Sequence, residues 1–243
     1  MKKLILANWK MQLSFKESLK LARDYGAKIK KAAAEIGVLP DFSALEGVRK
    51  NLPAKVFKLG AQDVAPYAKG AYTGEVSATS LKQLGVKYVL IGHSERRQEF
   101  KETSSLLRLK VQAALEAGLV PVLCIGENAS QKKNGQTAAV LRRQLEEVLF
   151  GLVIEKDEAL VVAYEPLWAI GSGQPLAPAQ AEAIQVMIKG VLANLLGRFP
   201  RVLYGGSVNA KNAADFLEWP NIDGLLVGGA SLKADDFKKI IGA

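Results

Sequence analysis

Apolar positions along the chain gather into short, nearly unbroken runs separated by stretches of helical period. The runs are Leu4–Ala7, Val38–Pro40, Val56–Gly60, Tyr88–Gly92, Val120–Ile125, Leu160–Tyr164, Arg201–Tyr204 and Gly224–Gly228. Being nearly all apolar rather than alternating, they predict parallel strands covered on both faces. Between them, Phe15–Lys31 carries Leu19, Ala22 and Ile29 at helical spacing. Further helices are predicted from Ser43, over Thr79–Gly85, over Leu106–Gly118 and over Ala138–Leu149. A long loop rich in glycine and alanine starts near Gln62. Eight strand–helix units in 243 residues average about 30 residues each, the size of one βα unit. No linker, repeat or low-complexity tract interrupts them. The pattern predicts an α/β fold: one domain over residues 1–243, a (β/α)8 barrel with an eight-stranded parallel barrel and outer helices. An open doubly wound sheet is the alternative, and the lack of any break in composition favours closure.

Composition narrows this only a little. Hydrophobic residues make up 49% and charged residues 23%, which argues for a globular chain. No apolar stretch is long enough to span a bilayer, and the run after Met1-Lys2-Lys3 is too short for a signal peptide. Cys124 is the single cysteine, which excludes an internal disulfide and any multi-cysteine metal site and suits a reducing cytoplasm. Lys and Arg total 33 against 24 Asp and Glu, a formal charge of +9. The basic residues are spread along the chain, and the densest groups, such as Lys28-Ile29-Lys30-Lys31 and Arg142-Arg143, lie in helix-like segments. They read as solvated helical faces rather than a nucleic-acid surface, and no zinc-finger or RNA-binding motif accompanies them.

In such a barrel, chemistry sits at the C-terminal ends of the strands. There the chain places Asn8-Trp9-Lys10, His93-Ser94-Glu95-Arg96-Arg97, Glu165 to Gly173, Gly205-Gly206-Ser207 and Gly228-Gly229-Ala230-Ser231-Leu232. Taken singly, each has an ordinary reading: Lys10 a surface lysine, Glu165 an ion-pair partner, His93 a structural histidine, the glycine pairs plain turns. Taken together they supply a carboxylate, an imidazole, an ammonium and several glycine turns. Loops after the seventh and eighth strands are the usual phosphate site of this architecture, and their main-chain N–H groups bind oxyanions. Gly171, Ser207, Gly228 and Gly229 would anchor a phosphate. Glu165 would reach a C–H bond beside a carbonyl, with His93 and Lys10 facing the oxygen where charge develops. The reaction this suggests is proton transfer α to a carbonyl, which needs neither metal nor redox cofactor.

These segments also carry a resemblance. Asn8-Trp9-Lys10-Met11, Gly60-Ala61-Gln62-Asp63, Gly74-Glu75, Ile91 to Arg97 and Cys124-Ile125-Gly126-Glu127 match in order. So do Ala163 to Gly171, Tyr204 to Val208 and Val227 to Leu232. Over essentially its full length the chain resembles the triosephosphate isomerase family, whose fold is the TIM barrel. The resemblance implies interconversion of dihydroxyacetone phosphate and D-glyceraldehyde 3-phosphate, a step of glycolysis and gluconeogenesis, without cofactor. It implies Glu165 as the base, His93 as the electrophile, Lys10 as the positive charge near the substrate and Asn8 as a donor. Glu95 would orient Lys10, and Ser94 would hold Glu165 in the open site. A helix starting near Glu95 would keep His93 neutral. Ile170 and Leu232 would clamp the Glu165 carboxylate and raise its pKa by desolvation. Pro166–Leu176 would be a lid latched by Tyr204 and Ser207. A homodimer would form through the 65–75 loop, Thr73 near its tip reaching the neighbour's Lys10 and His93. Two stretches depart from the family pattern: Gln12-Leu13 replaces the usual Asn-Gly, and Gln174-Pro175-Leu176 replaces Lys-Thr-Ala at the lid's far hinge. Two other readings stay open from the residues alone: a different phosphate-binding barrel isomerase, or a retired barrel acting as a scaffold.

Overall fold

Side chains on a strand alternate between its faces, so a closed parallel sheet sorts them into an inner and an outer layer. The computed structural model describes residues 2–169 and 176–242. Its strands are β1 (Leu4–Asn8), β2 (Glu35–Leu39), β3 (Phe57–Ala61), β4 (Val86–Ile91), β5 (Val120–Ile125), β6 (Val161–Tyr164), β7 (Arg201–Tyr204) and β8 (Gly224–Val227). All pair in parallel in chain order, and β8 closes on β1 with Leu4 opposite Gly224. The predicted (β/α)8 barrel is therefore present. Leu4, Leu6, Tyr88, Leu90, Val122, Cys124, Val161, Ala163, Leu203 and Leu226 fill the interior. Residues of the opposite parity, such as Ile5, Ala7, Val89, Val162 and Leu225, face the helices. Gly60 leaves room for this packing: a Cβ there would lie 2.6 Å from the Leu39 side chain.

The helices are α1 (Phe15–Lys28), α2 (Leu45–Asn51), α3 (Ala78–Gln83), α4 (Ser94–Glu99), α5 (Ser104–Glu116), α6 (Ala129–Lys133), α7 (Thr137–Leu149), α8 (Pro178–Leu196), α9 (Ala213–Leu217) and α10 (Ala234–Ile241). Local chemistry sets their ends. Ser14 and Glu17 form a reciprocal capping box at the start of α1. Pro178 opens α8 and Gly197, at φ 62°, closes it. No helix among the described residues is long and apolar enough to cross a membrane.

Several boundaries differ from the sequence expectation by a residue or more. Strand β2 starts at Glu35 rather than Val38, because Glu35 pairs with Leu4. It ends at Leu39, and Pro40 has no N–H to continue a ladder. Strand β3 is shifted by one residue to Phe57–Ala61. Helix α1 ends at Lys28, where Ile29 turns to an extended conformation and buries itself. The longest helix, α8, has no counterpart in the pattern reading. Val186 is exposed, and Met187 and Leu195 are only partly buried against the core beside the buried Ile188, Val191 and Leu192, so apolar residues spread round the helix and blur the amphipathic period.

The floor of the barrel is closed by ions. Arg201 at the start of β7 reaches Glu35 at 3.1 Å and the Tyr88 hydroxyl at 3.0 Å. Lys87 and the Tyr88 hydroxyl both donate to the other Glu35 oxygen. Burial alone would raise the Glu35 pKa, but the bonds from Lys87, Tyr88 and Arg201 outweigh it and lower it from 4.5 to about 2. A carboxyl whose pKa is lowered on folding stabilises above its unfolded pKa and ceases to do so as acid titrates it. Glu35→Gln is expected to lower unfolding free energy at neutral pH by about 2 kcal/mol, allowing for partial solvent screening. It should also flatten the loss of stability of the unsubstituted protein between pH 4.5 and 2. Urea titrations at pH 7, 4 and 2.5 measure both effects.

Candidate active site

Continuing the inward parity of each strand past its last apolar residue leads to one mouth. On β1 the series Leu4, Leu6 runs on to Asn8; on β6 Val161, Ala163 runs on to Glu165. On β7 and β8, Leu203 and Leu226 run on to Gly205 and Gly228. These residues, with Lys10 and His93, line a cavity of about 350 Å³ at the C-terminal end of the barrel. Its opposite wall is the Gly205–Asn209 turn and Gly228–Ala230.

His93 reaches the mouth by a different route. Gly92 adopts φ 68°, a left-handed conformation that ends β4 and turns the chain into α4. Arg97 fixes this corner, donating to the carbonyls of Gly92 and Cys124 at 2.9 Å each. His93 is the N-cap of α4, its Nδ1 accepting the Glu95 N–H at 3.4 Å. An accepting Nδ1 leaves the proton of a neutral ring on Nε2. That Nε2 lies 3.1 Å from Glu165 Oε1. The other Glu165 oxygen accepts the Ser94 main-chain N–H at 3.0 Å. Ser94 therefore holds Glu165 through its backbone, not its hydroxyl.

The carboxylate is 2% exposed. Burial pushes its pKa up, but His93, the Ser94 N–H and Lys10 together hold it below the ordinary carboxylate value. The rise expected from an apolar clamp is thus not met in this arrangement. Ile170 lies outside the described residues, and Leu232 packs half-buried against the outer core rather than lining the cavity. Burial likewise disfavours the His93 cation, yet the facing Glu165 carboxylate outweighs burial and raises its pKa. The helix end at His93 does not by itself hold the ring neutral while Glu165 leans on it.

Lys10 is held under backbone strain. Its φ is 53°, costly for a residue with a Cβ. Its N–H donates to Asn8 Oδ1 at 3.0 Å, and its carbonyl accepts from Gln62 Nε2 at 2.8 Å. Its ammonium meets Glu95 Oε1 at 2.5 Å, as the resemblance implies. Gln62 and Arg97 stood in the matched stretches without a role. Gln62 directly follows β3, a position that would have singled it out, whereas Arg97 lies within α4 and carries no such signal.

The segment after Glu165 begins with the short 3₁₀ turn Leu167–Ala169. Residues 170–175, including Gly171 of the expected phosphate set and most of the expected lid, lie outside the described residues. Each described flank makes one bond to a residue expected as a latch. Ser207 Oγ donates to the Ala169 carbonyl at 2.5 Å, and the Leu176 N–H donates to the Tyr204 hydroxyl at 3.1 Å. Glu127, also unassigned from sequence, accepts from Trp168 Nε1 at 2.9 Å and from the Tyr164 hydroxyl at 3.2 Å. Across the mouth, Gly228 leads into the 3₁₀ turn Gly229–Leu232. A Cβ at Gly229 would meet nothing within 4 Å, so packing does not require glycine there. What the missing side chain leaves open is approach to the main-chain N–H groups.

Comparison with known proteins agrees with this geometry. The family model described as triosephosphate isomerase matches residues 3–243. A triosephosphate isomerase of Thermoanaerobacter sp. strain X514 is 43% identical over 242 residues, covering 98% of each chain. That of Bordetella pertussis is 45% identical over 241 residues, covering 99% of this chain and 97% of its own. The enzyme of Clostridium tetani is 43% identical over 244 residues, with 99% and 96% covered. The match spans both walls of the cavity as well as the scaffold that holds them, and the chain belongs to the triosephosphate isomerase family.

Proposed function

We infer that the protein interconverts dihydroxyacetone phosphate and D-glyceraldehyde 3-phosphate by proton transfer through an enediolate. Family membership fixes the reaction. The observation that carries the assignment of roles is the contact between Glu165 and His93 at the floor of the mouth, opposite the Gly228-Gly229 turn. Glu165 takes the proton from the carbon beside the carbonyl and returns it to the neighbouring carbon. To do so it leaves His93 and Ser94 for the substrate. That departure removes the charge which favours protonated His93, and the ring then meets the substrate oxygen as a neutral Nε2–H donor. A neutral imidazole is close in acidity to an enediol, which suits it to share a proton with the enediolate. Lys10, aimed by Glu95 and fixed by Asn8 and Gln62, adds positive charge beside the same oxygen. The phosphate is assigned to the main chain of Gly171, Gly228 and Gly229 with Ser207. A lid over 166–176, hinged where Tyr204 and Ser207 grip its flanks, would exclude water from the enediolate. Nothing in these steps calls on a metal or a cofactor.

We assign the active form as a homodimer, in the cytoplasm, each chain a single domain. Residues 67–75 are exposed throughout. The Tyr67 and Tyr72 rings stack at 4.3 Å, and the loop is closed at its base by the Ala65 N–H on the Val76 carbonyl. Beside the mouth lies a second hollow lined by Met11, Phe42, Phe100 and Glu95. Met11 is 91% and Phe100 68% exposed. Apolar side chains left open beside a stiffened, protruding loop support mutual insertion of two copies.

Glu165→Gln should reduce kcat by about a thousandfold or more, with the melting temperature close to that of the parent, in an assay coupled to NADH-dependent reduction of dihydroxyacetone phosphate. Unchanged turnover removes Glu165 from its role. Sedimentation equilibrium should show a species of twice 26.2 kDa; full activity at 26.2 kDa would exclude the dimer.

A further inference from the structure

The Gly228-Gly229 turn has almost no side-chain anchorage of its own. A Cβ on Gly228 would meet only the Lys10 side chain, at 3.5 Å, and one on Gly229 would meet nothing within 4 Å. The turn is closed on itself by Ser231, whose N–H and hydroxyl both donate to the Gly228 carbonyl, at 2.8 and 2.7 Å. A turn that binds an anion through main-chain N–H groups works only if those groups keep their direction. Something outside it must fix that direction.

One group from a distant element does so. Tyr25 lies in α1, is fully buried, and donates its hydroxyl to the main-chain carbonyl of Ser231. Its ring cannot shift to follow the turn. It stacks on Phe237 at 4.9 Å and 7°, lies at 5.9 Å from Phe57, and meets the edge of Trp9 at 5.7 Å. The hydroxyl is thus a fixed point of the outer core, and Ser231 is fully buried against it.

We propose that Tyr25 is a positioning residue for phosphate recognition: its hydroxyl pins the Ser231 carbonyl and so holds the Gly228–Ser231 turn with its N–H groups facing the cavity. The proposal rests on the assignment of the substrate phosphate to this turn. Removing the hydroxyl leaves a buried carbonyl without its donor, and the turn shifts to find another. The loss falls on phosphate affinity, while Glu165 and His93, just past the ends of β6 and β4, keep their places.

Tyr25→Phe preserves the ring stack and removes only the hydroxyl. It is expected to raise the inhibition constant of inorganic phosphate and the KM for glyceraldehyde 3-phosphate together, by about fivefold, with kcat within about twofold of the parent. Leu145→Ala opens a cavity in the same outer core, on α7, without touching the Tyr25 stack or the hydroxyl. It should lower the melting temperature and leave both phosphate-dependent constants unchanged. A Tyr25→Phe protein that melts earlier with unaltered phosphate inhibition and KM would overturn the proposal. Equal losses of phosphate affinity in the two variants would do the same, since general loosening would then account for the effect. Failure of inorganic phosphate to compete with substrate in the unsubstituted protein would instead remove the phosphate assignment itself.

Discussion

A closed barrel of parallel strands gives each strand one inward series of side chains, two residues apart, and closure forces all the series to meet. This constraint assembles the mouth from segments as remote as Asn8 and Gly228. Below it the series are apolar and pack the barrel shut. At the rim they change character, to an amide on β1, a carboxylate after β6 and bare glycines after β7 and β8. The chemical groups inherit the rigidity of the packed layer beneath them. The exceptions are His93 and Lys10, which reach the mouth through left-handed backbone, at Gly92 in the first case and at Lys10 itself in the second.

Those exceptions show how strain is sustained. Lys10 is kept in its costly conformation by bonds at both main-chain ends, from Asn8 and Gln62. His93 sits on a corner held by Arg97 through two carbonyls. Neither Gln62 nor Arg97 enters the chemistry proposed here, yet each fixes a residue that does. The same division runs through the turn after β8, where Ser231 and Tyr25 hold what the glycines present.

Much of this was legible in the sequence, and the reasons are specific. The run Val120–Ile125 is apolar at every position and begins and ends where the strand does. Glu165 stood out because an acid directly after such a run breaks its character. The lone histidine and the paired glycines stood out in the same way. Helix α8 was not legible, since its apolar residues run from the buried Ile188 through the partly buried Met187 and Leu195 to the exposed Val186 and leave no clear polar face. Tyr25 was not legible either: a tyrosine at a helical core position reads as packing, and only the fold brings its hydroxyl to a carbonyl 206 residues away. The protonation balance at the site also lay beyond sequence, because it depends on which way the Glu165 side chain points.

Cys124 offers a last consequence. It is sealed inside the barrel on β5, and burial drives its thiol far from ionisation. Because the nucleophilic form is the thiolate, alkylating reagents have no purchase on the intact cylinder. A molecule becomes reactive when strands part around β5, so the pace of thiol modification clocks the opening of the staves. With one cysteine in the chain, that clock reads a single event, unconfused by any second sulfur.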